Sequence, residues 1–169
     1  QFASNVVSAT IIDNKYLCFL RQDDPSSTVC VRSLSSPSSI SISFNNDKKA
    51  CILTGASKFI AIANEAGIID LFEFNVEEQR ISPISTIESQ HLGPITDMAV
   101  TPDGKNLYTS GADGLVKYWN LASLKEPEAI IIVSNHPVMS VRPSPIDKTL
   151  FVASTISGQV HYMSVTDQE

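Results

Sequence analysis

Residues 90–121 decide the fold, and they read QHLGPITDMAVTPDGKNLYTSGADGLVKYWNL. Three short runs in this segment, 95–100, 105–110 and 115–121, are rich in Val, Ile, Leu, Tyr and Thr. The residues between the runs include Pro, Asp and Gly, which favour tight turns. Short β-prone runs bounded by such turns are typical of consecutive antiparallel strands. The segment therefore predicts three strands joined by two turns.

The same arrangement recurs along the chain at a nearly constant spacing. A lysine opens an apolar run in each of four places, and the separations between these lysines are 43, 47 and 43 residues. A second turn and another strand follow each run. Gly67, Gly114 and Gly158 stand in that second turn in three of the copies, where a tight hairpin requires positive φ. The first copy has a longer loop at 22–27 instead. The four lysines are Lys15, Lys58, Lys105 and Lys148.

Extending this pattern in both directions predicts four units of strands. The units are 5–46, 47–90, 91–135 and 136–169, with four strands in each of the first three and three in the last. A period of about 40–45 residues with four strands per unit is the signature of propeller blades. The predicted strands are 6–12, 15–20, 28–34, 39–44, 50–54, 58–63, 68–74, 80–87, 95–100, 105–110, 115–121, 128–133, 138–141, 149–154 and 159–165.

The third unit resembles a WD40 repeat. The family's Gly-His pair corresponds to Gln90-His91, its Ser-Pro-Asp-Gly turn to TPDG at 101–104, and its Trp-Asp ending to Trp119-Asn120. The resemblance implies an all-β fold: a WD40-type β-propeller fragment of about four four-stranded antiparallel blades, the last one incomplete. The other copies depart from the pattern, since they place Arg32, Phe72 and Met163 where this unit has Trp119.

The resemblance also implies a structural role for a set of polar residues. In WD40 repeats a His, a Ser or Thr, an Asp and a Trp form a hydrogen-bonded tetrad within one blade. These positions correspond to His91, either Thr109 or Ser110, Asp113 and Trp119. A hydrolase triad of Ser110, His91 and Asp113 is the alternative. We disfavour it because the repeat already accounts for all three residues and no G-x-S-x-G elbow is present, so we predict no catalytic residue.

Composition excludes several other functions. The 169-residue, 18.3-kDa chain is 43% hydrophobic and 18% charged, with a net charge of −6 and a pI near 5.0. Surfaces that bind nucleic-acid phosphates are normally basic, so we expect no direct nucleic-acid binding. The longest apolar runs are strand-sized, and we expect no membrane span. Three scattered histidines and the lack of a phosphate-binding loop predict neither a metal site nor a cofactor.

The three cysteines indicate a reducing compartment. Cys18, Cys30 and Cys51 are separated by 12 and 21 residues, which matches no zinc-binding pattern. Each lies in an apolar, strand-like run, so we predict buried, reduced thiols. Such thiols are typical of cytoplasmic or nuclear proteins, and we expect one of these locations.

Function is then expected to reside on exposed loops. In a propeller, the loops between blades and the second turn within each blade cluster on one face. In the WD40 family this face commonly binds peptides or protein domains. The acidic balance favours a basic or neutral protein partner. The predicted partner contacts are Leu92, Pro94, Thr96, Ala112 and His136.

Four blades are fewer than WD40 propellers usually close with. The chain is therefore expected to be a fragment whose remaining blades lie elsewhere or on another chain, a half that pairs with its own copy, or an open propeller completed by a different protein. We predict a non-catalytic protein–protein interaction scaffold in a larger multisubunit assembly. The alternative is the non-catalytic propeller region of a multidomain enzyme or trafficking protein. A propeller enzyme is disfavoured because Asp97 and Arg142 are the only charges in or beside the predicted axial strands.

Overall fold

The computed structural model describes residues 5–23, 26–36, 38–45, 49–75 and 77–166. These residues form fifteen strands, and the prediction of an all-β fold is confirmed. Every predicted strand is present, with its ends within three residues of the expected positions. The strands are β1 Val6–Ile12, β2 Tyr16–Asp23, β3 Ser26–Ser33, β4 Ser39–Asn45, β5 Ala50–Ala56, β6 Phe59–Asn64, β7 Ile68–Asn75, β8 Arg80–Glu88, β9 Ile95–Val100, β10 Asn106–Gly111, β11 Leu115–Asn120, β12 Ala129–Ile132, β13 Val138–Pro143, β14 Leu150–Thr155 and β15 Val160–Ser164.

The strands pair in chain order into four antiparallel sheets. Blade 1 contains β1–β4, blade 2 contains β5–β8, blade 3 contains β9–β12, and blade 4 contains only β13–β15. The prediction of about four antiparallel blades, the last one incomplete, is confirmed. The chain divides into two compact units, Gln1–Thr86 and Ile87–Glu169.

Alternating side chains build the core of the first unit. In blade 1 the apolar residues Cys18, Leu20 and Val29 are fully buried. They form one cluster with residues of blade 2 that include Ile60 and Ile62. Because successive strand residues point to opposite faces, each blade offers one row of apolar side chains to the other.

The second unit repeats this packing with larger side chains. Tyr108 of β10 lies 5.2 Å from Phe151 of β14, measured between ring centroids, and both are completely buried. Burial and the neighbouring Tyr118 raise the pKa of the Tyr108 hydroxyl. Asp97 of β9 accepts hydrogen bonds from the Ser140 hydroxyl at 2.8 Å and the Val141 amide at 3.0 Å. Blades 3 and 4 are therefore joined by an apolar core and by polar contacts from one carboxylate.

The second turns of three blades contain glycine in the left-handed region. The φ angles of Gly67, Gly114 and Gly158 are 78°, 79° and 81°, as predicted. At Gly114 a Cβ would lie only 1.9 Å from the carbonyl oxygen of Ser134, so a side chain is excluded there. The predicted long loop at 22–27 is wrong, because β2 and β3 continue pairing into it and Gln22 is opposite Ser27.

One backbone hydrogen bond recurs in all four blades and defines their true alignment. An amide at the end of the third strand, or directly after it, donates to the carbonyl that precedes the second strand. In the fourth blade this carbonyl belongs to Thr149, so the predicted equivalence of Lys148 is wrong by one residue. The turn before β14 contains one extra residue, since Ser144 bonds to Leu150 whereas Thr101 bonds to Asn106. The four bonds are Leu34–Lys15, Phe74–Lys58, Leu121–Lys105 and Val165–Thr149.

The cysteines are less uniform than predicted. All three are reduced, and Cys18 is buried in the core, where burial raises its pKa to about 12. Cys30 and Cys51 are only half-buried, which corrects the expectation of three core thiols. Cys30 alternates with the buried Val29 and Val31 and so points to the other face of β3.

Candidate interaction site

A buried polar network surrounds Thr109 in the middle of β10. The Thr109 Oγ1 atom lies 2.9 Å from Nε2 of His91 and 3.1 Å from Nε1 of Trp119. On the other side of the imidazole ring, His91 Nδ1 lies 3.0 Å from each carboxylate oxygen of Asp113. Thr109, Trp119 and the His91 side chain are completely buried. The hydrogen bonds therefore satisfy polar groups that have no access to water.

The hydrogen-bond partners of His91 indicate where the protons of this network lie. Burial lowers the pKa of His91 below its ordinary value, although the charge of Asp113 opposes this effect. A neutral imidazole has one donor and one acceptor nitrogen. In this network Nδ1–H donates to Asp113, Nε2 accepts the Thr109 hydroxyl proton, and the Trp119 indole donates to the Thr109 oxygen. Every donor in the chain of contacts has an acceptor.

Asp113 connects the network to the loop that precedes β9. Its carboxylate accepts the backbone N–H of Leu92 at 2.9 Å and that of Leu115 at 3.2 Å. Burial raises the pKa of Asp113, but the hydrogen bonds from Leu92 and His91 outweigh burial and hold the pKa below its usual range. The ionised side chain is only 6% exposed. Asp113 therefore fixes both its own turn and the neighbouring loop.

The structure shows which of the two candidate hydroxyl residues, Thr109 or Ser110, contacts His91. Ser110 follows Thr109 and points to the opposite face of β10, because side chains alternate along a strand. The Ser110 Oγ atom lies 2.9 Å from Thr96 Oγ1 and donates to the Asp97 carbonyl at 3.4 Å. Thr109 therefore occupies the network position and Ser110 lies outside it. The alternative hydrolase triad lacks the contact between Ser110 and His91 that it requires.

Lys117, which the sequence analysis did not single out, also binds the loop that precedes β9. Its ammonium group donates to the carbonyl oxygens of Ser89 at 3.1 Å and Gln90 at 2.5 Å. The residue is only 3% exposed, and burial lowers its pKa. Lys117 is paired with Thr109 across the sheet and lies on the same face as Trp119, two residues further along β11. That shared spacing is the sequence signal that could have identified it.

The predicted contact residues have different environments. Leu92 is 88% exposed, and Pro94 and His136 are also exposed. Ala112 is half-buried, and its amide donates to the Pro94 carbonyl at 3.1 Å. Thr96 is a different case, because its hydroxyl donates to the Val138 carbonyl between blades 3 and 4. Thr96 therefore has a structural contact, and the surface open to a partner is formed by the others.

Four loops of the second unit form one continuous surface, which we call the loop-end surface: residues 89–94, 111–114, 133–137 and 155–159. The amide of Val133 donates to the Gly114 carbonyl, which joins the second and third segments. The Ile156 amide donates to the Pro137 carbonyl at 2.9 Å, which joins the third and fourth. Ile156 is 63% exposed and was not among the predicted contacts.

Comparison with known proteins identifies the repeat. Residues 81–120 match the family model of the WD domain, G-beta repeat. The chain therefore contains a WD40 repeat within a β-propeller fold. The ribosome biogenesis protein ERB1 of Chaetomium globosum is 32% identical over 80 residues. This alignment covers 47% of the WD40 chain but only 10% of ERB1.

A solved structure shows the same fold over most of the chain. In the crystal structure of a mitotic checkpoint complex, one chain superimposes with a TM-score of 0.76 at 17% sequence identity. The match covers 95% of the WD40 chain and 48% of that chain. The WD40 chain thus spans about half the length of this structural neighbour and a tenth of its curated relative.

The described residues also bear on metal binding and on membrane crossing. Among the residues that the structure describes, no group of three or more His, Cys, Asp or Glu side chains is placed to hold a metal ion. The same ranges contain no helix long and apolar enough to cross a membrane. His161 of β15 is half-buried, while its neighbours Val160 and Tyr162 are 71% and 69% exposed.

Proposed function

We propose that this WD40-repeat chain is a non-catalytic protein-interaction scaffold of a larger assembly and that it binds partners through the loop-end surface. One observation carries the proposal. Leu92 is almost fully exposed on a loop whose backbone is tied down on both sides of it. An exposed large apolar side chain on a rigid support has the properties of a binding anchor.

The supporting contacts reduce the cost of binding. Lys117 holds the carbonyls of Ser89 and Gln90, and Asp113 holds the amide of Leu92. A loop that is already ordered loses little conformational entropy when a partner docks, so more of the contact energy remains as affinity. We infer that the buried network serves binding indirectly, by fixing the position of Leu92.

The hydrogen bonds of the His91 imidazole support a non-catalytic role. Both ring nitrogens of His91 already have partners within the repeat, at Asp113 and Thr109. The imidazole therefore has no nitrogen to spare for a substrate proton, as a general base requires. The mechanism that we propose is rigid display of apolar loops.

Similarity to part of a ribosome biogenesis protein supports a role in a multiprotein assembly. We propose ribosome assembly factors as the first class of partner to examine, and the nucleus as the first location. The remaining blades of a closed ring, on another chain or on a second copy, stay part of this proposal.

Affinity purification with matched variants tests the scaffold role. Leu92→Asn replaces the exposed leucine with a polar side chain of similar size, and Ile146→Asn does the same at the turn before β14. Ile146 is 95% exposed and lies outside the loop-end surface, so it is the control. We expect quantitative mass spectrometry to find proteins retained by wild type and Ile146→Asn but lost from Leu92→Asn. Equal retention by all three would refute the proposal.

A further inference from the structure

The loop-end surface differs from the rest of the second unit in its charge. Its twenty residues contain Asp113 as their only Asp, Glu, Lys or Arg. That carboxylate is 6% exposed and already accepts hydrogen bonds from His91, Leu92 and Leu115. The surface that a partner meets therefore presents no accessible Asp, Glu, Lys or Arg side chain, and its one exposed imidazole is that of His136.

The turns at the opposite ends of the same strands contain exposed charged residues. The turn before β10 contains Asp103 and Lys105, and the turn before β14 contains Asp147 and Lys148. All four are exposed. Since the whole chain has 12 Lys and Arg residues and 18 Asp and Glu residues, the lack of these side chains on one end reflects their distribution and not their scarcity.

The groups that the surface does present are apolar or neutral and polar. Leu92, Pro94 and Ile156 supply exposed apolar area. Gln90 and Asn135 supply exposed side-chain amides, which can both donate to and accept from a peptide backbone. Burying charged partner groups against such a surface is unfavourable, because no opposite charge compensates for their lost hydration.

Building on the proposed function, we infer that the loop-end surface recognises an uncharged segment of a partner protein, with apolar anchors on Leu92 and Ile156 and backbone hydrogen bonds to the neighbouring amides. The overall acidity of the chain favoured a basic or neutral partner. The local distribution of charge selects the neutral one. Affinity for such a segment is expected to depend weakly on salt, because screening acts on charges.

Peptide selection on the whole 169-residue chain tests this inference. Random twelve-residue peptides on phage are selected against the wild-type chain, and the enriched peptides are synthesised with a fluorescent label. We expect enriched peptides to have no net charge and at least two apolar residues. Their affinity should fall at least tenfold with Leu92→Asn or Ile156→Asn and remain unchanged with Ile146→Asn. Raising NaCl from about 50 mM to about 500 mM should change the affinity less than threefold.

Two contrary results have different meanings. Some selected peptides could depend on Leu92 and Ile156 but carry several like charges and lose tenfold or more in affinity at the higher salt. This result would refute the inference that the partner segment is uncharged, but it would support the loop-end surface as the binding site. Enrichment only of peptides that bind all three variants equally would overturn the surface itself and with it the proposed function. All three substituted side chains are exposed, so we expect the variants to fold like the wild type. Unfolding curves followed by Trp119 fluorescence would check this.

Discussion

Replacing Thr109 with valine should lower the free energy of unfolding, because it removes one hydroxyl group that two buried side chains contact. Valine keeps the shape of threonine but removes the hydroxyl that contacts both Nε2 of His91 and Nε1 of Trp119. Both rings are buried, so neither nitrogen can turn to water instead. Thr109→Val therefore leaves two unsatisfied polar groups in the core of one repeat.

The size of the effect follows from these two groups. Each buried polar group left without a partner costs about 1–3 kcal/mol, and the added methyl group returns about 0.8 kcal/mol of apolar burial. We expect a net loss of about 1–5 kcal/mol in the free energy of unfolding. For a chain of this length, that loss corresponds to a decrease in Tm of roughly 2–20 °C.

Trp119 is the only tryptophan and reports on the network directly. Urea and thermal unfolding followed by its fluorescence would measure the loss. Ser110→Ala is the matched control, because it removes a hydroxyl from the adjacent, equally buried residue on the other face of β10. It should cost only about 1 kcal/mol. A Thr109→Val protein as stable as wild type, or a control that loses as much, would refute the assignment of Thr109.

Three further predictions concern the same repeat. Gly111→Ala should cost about 1–3 kcal/mol in unfolding experiments, because a Cβ there would lie 2.5 Å from His91 Nδ1 and 2.6 Å from Asp113 Oδ1; wild-type stability would contradict this packing. NMR titration should give His91 a pKa below 6.5. The unfolded chain then binds more protons than the folded chain, so the free energy of unfolding should decrease as the pH falls below 6.5. A higher pKa, or a free energy of unfolding that increases over this range, would contradict the neutral imidazole. Lys117→Met should accelerate amide hydrogen exchange in residues 89–92, because the carbonyls of Ser89 and Gln90 lose their donor; unchanged exchange would show that Lys117 does not hold the loop.

The strands were predictable because local chemistry determines them. Alternating apolar residues indicate strands in every blade, and in three of the blades the turn glycines Gly67, Gly114 and Gly158 adopt the expected positive φ. The polar network also had a local signal, since its residue types occur at the spacing of one repeat. The choice of Thr109 over Ser110 depends on which face of β10 meets His91, and that was not visible in the sequence.

The remaining differences depend on tertiary packing. Lys117 looks like a solvated charge in sequence, yet backbone carbonyls of a distant loop compensate for its burial. His161 is half-buried while Tyr162 is exposed, because packing on only one side of blade 4 decides which alternate row is covered. The alignment of blade 4 shifts by one residue because its turn before β14 is longer, which no local propensity specifies.

The most direct test of the proposed function is to map a bound peptide on the chain by NMR. The tightest-binding selected peptide would be titrated into the isotope-labelled protein while its backbone amide resonances are followed. We predict that the largest shifts occur at Leu92, Gly93, Ala112, His136 and Ile156, which belong to the loop-end surface. Shifts concentrated instead at Asp103, Ile146 and Lys148, at the opposite ends of the strands, would contradict it.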